Sequence, residues 1–450
     1  MRTRYENWVT GLNGDWLISR QRFFGVPLPV WYPLDGAGER DHSRPIVPAE
    51  SALPVDPSSD TPPGFTEAQR DVPGGFTAET DIMDTWATSS LTPEIVGGWE
   101  RDPELWALVH PMHLRPQAHE IIRTWLFATM LRSHALHGEL PWRHAAISGW
   151  ILDPDRKKMS KSKGNAAKAD SPEALLQRFG PDALRYWAAS ARPGADTALS
   201  PAQMKVGRRL ATKVLNAGRF VHELGGGSEL GDAAVTEALD RAMLARLAEV
   251  VESATSALED FDSARALERI ESFFWTFCDD YLELVKERAY GDGAAETSAP
   301  RDSARAALRL ALDVQLRLLA PFLPFAAEEV WSWSASSPAT PASPARSATP
   351  ASIHLAPWPA ATELRAAAPV PADSALLATA SELIGAVRRA KAEAQLSMRA
   401  PLRSAVLSGT AEALDAVRGF LPDLRATGRI EELELLPSPE AAALRIEVRA

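Results

Sequence analysis

Four long stretches, around 204–225, 236–259, 262–290 and 300–320, place apolar residues at helical spacing and commit the middle of this 450-residue chain to a helix bundle. What precedes them is different. Residues 81–165 alternate short strand-like and helix-like segments, the pattern of a doubly wound α/β sheet. Within that block His119 to His137 predicts a helix, with Ile122, Trp125, Leu126, Met130 and Leu131 at core spacing. Ala145 to Leu152 is apolar enough for a buried strand. Residues 374–450 read as helix, strand (Ser404–Ser408), helix (Ala411–Phe420) and two terminal strands, a small α+β domain. The expected fold is therefore α/β plus all-α: half of a doubly wound domain, a helix bundle and a small α+β domain.

Boundaries follow from composition. Residues 1–165 form the α/β part, interrupted at 35–80 by an irregular insertion rich in Pro, Gly, Ser and Asp. Residues 166–203 give two short linker helices, from Ser171 and from Pro181, and 204–335 are the bundle. Residues 336–373, rich in Ser, Ala and Pro, read as a linker. The net charge of −11 argues against indiscriminate nucleic-acid binding, although a local basic stripe can still meet an RNA. Lys205, Arg209 and Lys213 at i, i+4, i+8, with Arg208 beside them, form such a stripe at the head of the bundle. Phe273, Phe274, Trp275 and Phe277 read as helix core. The single cysteine, Cys278, excludes an internal disulfide and a cysteine-rich zinc site, so no structural zinc is expected. It reads as a buried thiol in a reducing, cytoplasmic setting. No apolar run approaches membrane-spanning length, and no membrane partner is expected.

One string carries chemistry. Lys158-Met159-Ser160-Lys161-Ser162 follows the apolar run and precedes Ser171-Pro172-Glu173, a helix start with Ser as cap and Pro at the first position. Ammonium groups on a loop between strand and helix make a mobile anion clamp, suited to a leaving group whose charge grows in the transition state. Met159 reads as a packing residue within it. The alternative drawing, a metal site from His110, His113, His119 and Glu120, fits no common zinc spacing.

This string resembles the second signature of class I aminoacyl-tRNA synthetases. Asp15–Trp31 resembles the segment that re-enters their catalytic core after the editing insertion. Asp81–Pro93 resembles their Asp-Thr-Trp block, and Leu114–Leu126 the strand-to-helix turn that meets amino acid and ribose. Phe277–Tyr290 looks like the anticodon-binding helix of the valine-specific members, and His354–Trp358 like an element that packs back on the bundle. The resemblance implies ATP-dependent activation of valine and its transfer to tRNA(Val), with Mg2+ accompanying the nucleotide. It implies Lys158 and Lys161 as catalytic groups. The ATP-binding set would be Lys158, Met159, Ser160, Lys161, Ser162, Gln117, His119 and Glu120. Asp84 and Trp86 would form the amino-acid pocket, and Lys205, Arg208, Arg209 and Lys213 would contact tRNA.

The family also carries a His-Ile-Gly-His-type motif, and none of the nine histidines here stands in an H-x-G-H string. The chain is therefore expected to be a C-terminal part, incompetent alone and completed by a separate N-terminal catalytic and editing half. A non-catalytic tRNA-binding paralogue is the other reading. The family usually has glycine where Ala118 stands, and a methyl there is expected to crowd the ligand.

Overall fold

The computed structural model describes residues 2–153, 155–157, 159, 171–224, 235–291, 299–335, 350–368, 373–438 and 443–449. Contacts divide it into two compact units: residues 1–150 with 193–196, and residues 151–192 with 197–450.

The first unit opens with the helix Arg2–Thr10. Its insertion is packed although it has little regular structure. Strand Trp31–Pro33 pairs antiparallel with Phe76–Ala78, and the buried Trp31 and Phe76 rings organise what lies between. Trp31 Nε1 donates to the Pro57 carbonyl (3.2 Å) and the Asp60 carbonyl (3.1 Å). Arg70 donates to the same two carbonyls and lies over the Phe76 ring. Asp35, Asp41 and Asp56 accept from backbone N–H groups two residues on, closing turns that the sheet ladder does not reach.

The α/β core of this unit is a parallel pair, Met112–Ala118 beside Trp142–Ser148. The crossover between them runs through the predicted helix, but not as one regular α-helix. It begins as a 3₁₀ turn (His119–Ile121), widens into a π turn (Ile122–Leu126) and becomes α-helical over Phe127–His137. Ile122, Trp125 and Leu126 are buried, with Trp142, in one cluster, and Met130 packs on it. Leu131 is instead 57% exposed: the π turn adds a residue to the helical repeat and rotates it off the core face.

The expected buried strand Ala145–Leu152 is also corrected. The strand stops at Ser148, a break at Gly149-Trp150 follows, and Ile151–Leu152 pairs in parallel with Thr197–Ala198 in the second unit. Ala145 is exposed and Ile151 is 51% exposed. A two-stranded sheet has no further strands to cover its outer edge, so the usual burial of parallel strands does not apply. Gly149 is required at the break, since a Cβ there would lie 2.2 Å from the Ala195 carbonyl oxygen.

In the second unit Ser171 caps Pro172–Phe179, its Oγ accepting from Ala174 N at 3.3 Å. Pro181–Ala189 and then the bundle helices follow: Pro201–Glu223, Ala238–Glu259, Ser263–Thr276, Leu282–Tyr290, Ala299–Leu319 and Pro324–Ala335. A π turn, Phe277–Tyr281, joins the third to the fourth. Beyond the bundle, Trp358 Nε1 donates to Thr255 Oγ1 (2.9 Å) and Glu363 pairs with Arg317 (2.6 Å), so this part of the predicted linker lies on the bundle.

The C-terminal segment has one helix more than the sequence suggested. Leu421–Gly428 lies between Ala411–Val417 and the strand Ile430–Pro437. Together with Ala411–Val417 it fills the crossover between two parallel strands. Ile430–Pro437 runs parallel to Leu402–Gly409, and parallel neighbours need a crossover. Arg445–Arg449 closes the sheet antiparallel on the other side. Bundle and sheet share one hydrophobic core, from Tyr186 through Phe274 and Leu316 to Phe420 and Ile430.

A buried ionic network crosses that core. Asp240 Oδ1 accepts from Tyr281 Oη (2.8 Å) and Arg288 Nη2 (2.8 Å), and its Oδ2 from Ser303 Oγ (2.7 Å) and Arg288 Nη1 (2.9 Å). Arg288 also grips Asp423 through Nε (3.0 Å) and Nη2 (3.0 Å). Burial works against the Arg288 charge, but the two carboxylates outweigh it and hold its pKa above the ordinary value. Replacing Arg288 with Met strands two buried carboxylates and is expected to cost about 3–5 kcal/mol in urea unfolding. A loss below ~1 kcal/mol would show the network to be dispensable. Cys278 is buried, and desolvation pushes its thiol up to about 12. In the native protein it should resist a disulfide reagent at pH 8 and react only once urea unfolds the bundle.

Candidate functional site

The Met112–Ala118 strand delivers its C-terminal end directly into the 3₁₀ turn, so His119 and Glu120 leave the sheet at the edge where α/β folds bind ligands. His119 is buried, and its Nδ1 lies 3.1 Å from the Ser148 carbonyl of the neighbouring strand. That contact makes Nδ1 the protonated nitrogen and leaves Nε2 as an acceptor. The ring lies against Trp150, centroids 4.9 Å apart. Glu120 is exposed at the rim.

A cleft of about 400 Å³ opens here, lined by Arg4, Trp8, His119, Glu120, Ile122, Arg123 and Trp150. Arg4, Trp8, Arg123 and Trp150 were not singled out from sequence. Arg123 stands three residues from Glu120 on the same turn, and that spacing was its only signal. Gln117 does not line the cleft. Its side chain is buried behind, with Oε1 lacking a hydrogen-bond partner among the described residues. Ala118 has φ −79° and ψ 154°, an extended conformation open to any L-residue, so its backbone geometry makes no demand for glycine.

Asp84 and Trp86 sit on a short helix, Thr85–Ser89, held at both ends. Asp84 is its N-cap: the buried carboxylate accepts from Trp86 N (2.7 Å) and pairs with Arg20. At the other end Arg132 Nε donates to Ser90 Oγ (2.7 Å), and Ser90 Oγ donates to the Ala87 carbonyl (2.6 Å). Trp86 is half-buried against the cluster of Ile122, Trp125, Leu126 and Trp142. Neither Asp84 nor Trp86 lines the cleft.

Of the signature string, Lys158, Ser160, Lys161 and Ser162 lie outside the described residues. Met159 is described, and its side chain packs against the cluster of Leu175, Phe179, Ala183, Leu199 and Met204. The approach to the loop is a tight turn. Asp153 N donates to the Lys157 carbonyl (2.8 Å), and Lys157 N donates to Asp153 Oδ1 (2.7 Å).

The basic stripe lies on Pro201–Glu223. Lys205, Arg208 and Arg209 are exposed, while Lys213 is half-buried and pairs with Asp279 at 2.7 Å. Phe273, Phe274 and Phe277 are buried as expected, but Trp275 is not a core residue. It is half-buried beside the stripe, with Arg209 and Lys213 over its ring at 5.4 and 5.7 Å. Its Nε1 donates to Glu271 (3.1 Å), which also accepts from Tyr186 Oη (2.6 Å). That contact, one turn back on the same helix, satisfies the indole N–H at the side of the bundle.

Known proteins resemble this chain over most of its length. Residues 1–200 match the family model for tRNA synthetases class I (I, L, M and V), and residues 240–406 the anticodon-binding domain of tRNA ligase. The valine--tRNA ligase of Thermobifida fusca is 60% identical over 369 residues, covering 82% of this chain and 40% of that protein. That of Salinispora tropica is 61% identical over 366 residues, covering 81% and 40%. A leucyl enzyme solved as a ternary complex, Agrobacterium radiobacter K84 agnB2 LeuRS with tRNA and LeuAMS, has a TM-score of 0.57 at 22% identity. It covers 78% of this chain and 42% of that one, and at this identity it speaks for the fold. The chain thus spans about 40% of the length of the curated relatives it matches. The matches give a class I tRNA synthetase segment at residues 1–200 and a tRNA-ligase anticodon-binding segment at residues 240–406, with valine--tRNA ligases as relatives at about 60% identity over about four fifths of this chain.

Proposed function

We propose that this chain is the C-terminal part of a valine--tRNA ligase and, within the complete enzyme, takes part in ATP-dependent activation of valine and its transfer to tRNA(Val). The observation that carries the reading is the strand end that presents His119 and Glu120 to a cleft, in a chain that also bears the Lys158–Ser162 string. On this reading residues 1–165 are half of a doubly wound nucleotide-binding domain, 204–335 the anticodon-binding bundle, and the setting is cytoplasmic.

The valine carboxylate attacks the α-phosphorus of ATP, and pyrophosphate leaves. The chain supplies position and charge. Glu120 accepts the ribose hydroxyls, which a carboxylate can take in pairs. His119, with Nδ1 fixed by Ser148, offers Nε2 as an acceptor at the cleft wall. Lys158 and Lys161 meet the charge that grows on the departing pyrophosphate, with Ser160 and Ser162 as hydroxyl donors. Asp84 holds the turn that presents Trp86 to the valine side chain. Mg2+ would arrive with the nucleotide.

An exposed apolar stretch supports completion by further polypeptide. Phe23 and Phe24 are 105% and 91% exposed and Leu17 is 73% exposed, beside the Ser19–Arg20 strand. Such a patch is costly to leave in water. The remaining length of the relatives is the proposed cover.

Valine-dependent ATP–pyrophosphate exchange should be absent from the purified chain and appear when an N-terminal half is supplied. In that complex Lys158→Ala and Lys161→Ala should each slow activation on the order of 10²–10³ and leave valine binding nearly unchanged. Exchange by the chain alone, or unaltered rates in both variants, would refute these roles.

For tRNA, the exposed Lys205, Arg208 and Arg209 are the proposed phosphate contacts, and the pairing of Lys213 with Asp279 lessens its share. A triple alanine variant at the first three should reduce the slope of log affinity against log salt by about 0.7–0.9 for each phosphate no longer neutralised. Lys213→Ala should change it least. Identical slopes for wild type and triple variant would mean the stripe is a solvated helix face.

A further inference from the structure

Far from the cleft along the same strand and helix, the first unit contains a cluster that the reaction does not use. Glu94, on the helix Thr92–Gly97, is 3% exposed, and neither carboxylate oxygen has a hydrogen-bond partner among the described residues. His137, the last residue of Phe127–His137, brings Nε2 to 3.3 Å from Glu94 Oε1, but without hydrogen-bond geometry. His110 follows the helix Pro103–Val109 and stacks on Trp106, centroids 4.0 Å apart. Its Nδ1 lies 3.3 Å from Glu139, and its Nε2 is buried without a partner among the described residues. The two imidazole rings are 5.2 Å apart, and Trp99 closes the box against His137.

Unsatisfied buried polar atoms cost stability, and native proteins keep few of them. Four here fall in one aromatic box: both Glu94 oxygens and the Nε2 atoms of His110 and His137. The box joins three helices, and His110 stands two residues before the strand Met112–Ala118 that leads into His119. We propose that this cluster is a proton-operated latch: with His110 neutral it holds the Thr92–Val109 segment against the end of the Phe127–His137 helix, and a proton on His110 releases it.

The direction follows from the surroundings. Burial disfavours the His110 cation, and so does His137, while Glu139 and Glu94 favour it; burial outweighs the rest and the pKa is lowered. The latched form therefore binds fewer protons than an open form in which His110 reaches water. The stabilisation is complete above the ordinary histidine range, near 6.5, and is lost as pH falls through it and on to the lowered value.

Hydrogen exchange of the whole chain at pH 7.5 and 5.5, corrected for intrinsic rates, tests this. Peptides covering 92–110 and 127–139 should lose protection several-fold at the lower pH, with about tenfold as the ceiling that an exposed histidine of ordinary pKa sets one pH unit below it. His110→Phe keeps a ring on Trp106, removes the buried unpaired nitrogen and cannot charge. It should hold its protection at both values, and should His110→Phe not fold, His110→Gln carries the same expectation. No loss in the wild type at pH 5.5, or an equal loss in wild type and the folded variant, would overturn the latch.

Discussion

The guanidinium of Arg288 is the point on which the second unit turns. It bridges Asp240, near the start of one bundle helix, and Asp423, near the start of a helix between two strands of the C-terminal sheet. Tyr281 and Ser303 satisfy what remains of Asp240. Each partner alone would be a buried charge, and the set is tolerable only when complete. Apolar packing could hold bundle and sheet together in several registers. A planar fork with two carboxylate acceptors selects one of them. Thr427 adds to this by donating to the Glu283 carbonyl at 2.9 Å. The Phe277–Tyr290 string, whose resemblance pointed to an anticodon helix, thus also supplies the central cation and an aromatic partner of this junction.

The first unit depends on backbone geometry instead. Its strand ends where a 3₁₀ turn begins, and a π turn follows within three residues. Those irregular turns direct His119 to the neighbouring strand's carbonyl and Glu120 to the rim. The short helix of Trp86 is held separately, by Arg20 through Asp84 and by Arg132 through Ser90. Neither arginine is adjacent in sequence to what it holds. This is why Asp84 could be singled out from its own string while its partners could not.

Legibility varied with the range of the interaction. The long bundle helices, the Ser171 cap and the buried Cys278 follow from periodicity and from local cap chemistry, which operate within a few residues. Leu131, Trp275 and the strand after Ala145 were misread because each depended on something the apolar pattern does not encode. A π turn shifted the first, a carboxylate on the next turn of the helix and two cations from another helix drew out the second, and a sheet of only two strands left the third uncovered. The helix Leu421–Gly428 was missed although Pro422 stands in its first turn, because it follows directly on the Arg418–Phe420 turn with no polar break between them.

By itself the sequence determined the helical character of the bundle and the family resemblance, because a signature string, a helical repeat and a cap are local chemical facts. The tertiary structure decided which groups meet. It brought Arg4, Trp8, Arg123 and Trp150 to the cleft with His119, turned Gln117 away from it, and paired Lys213 with Asp279. It also gathered Glu94, His110, His137 and Glu139 from across 46 positions into one buried box. Burial and charge energies depend on distance and solvent in the folded chain, and neither quantity exists until the chain has closed on itself.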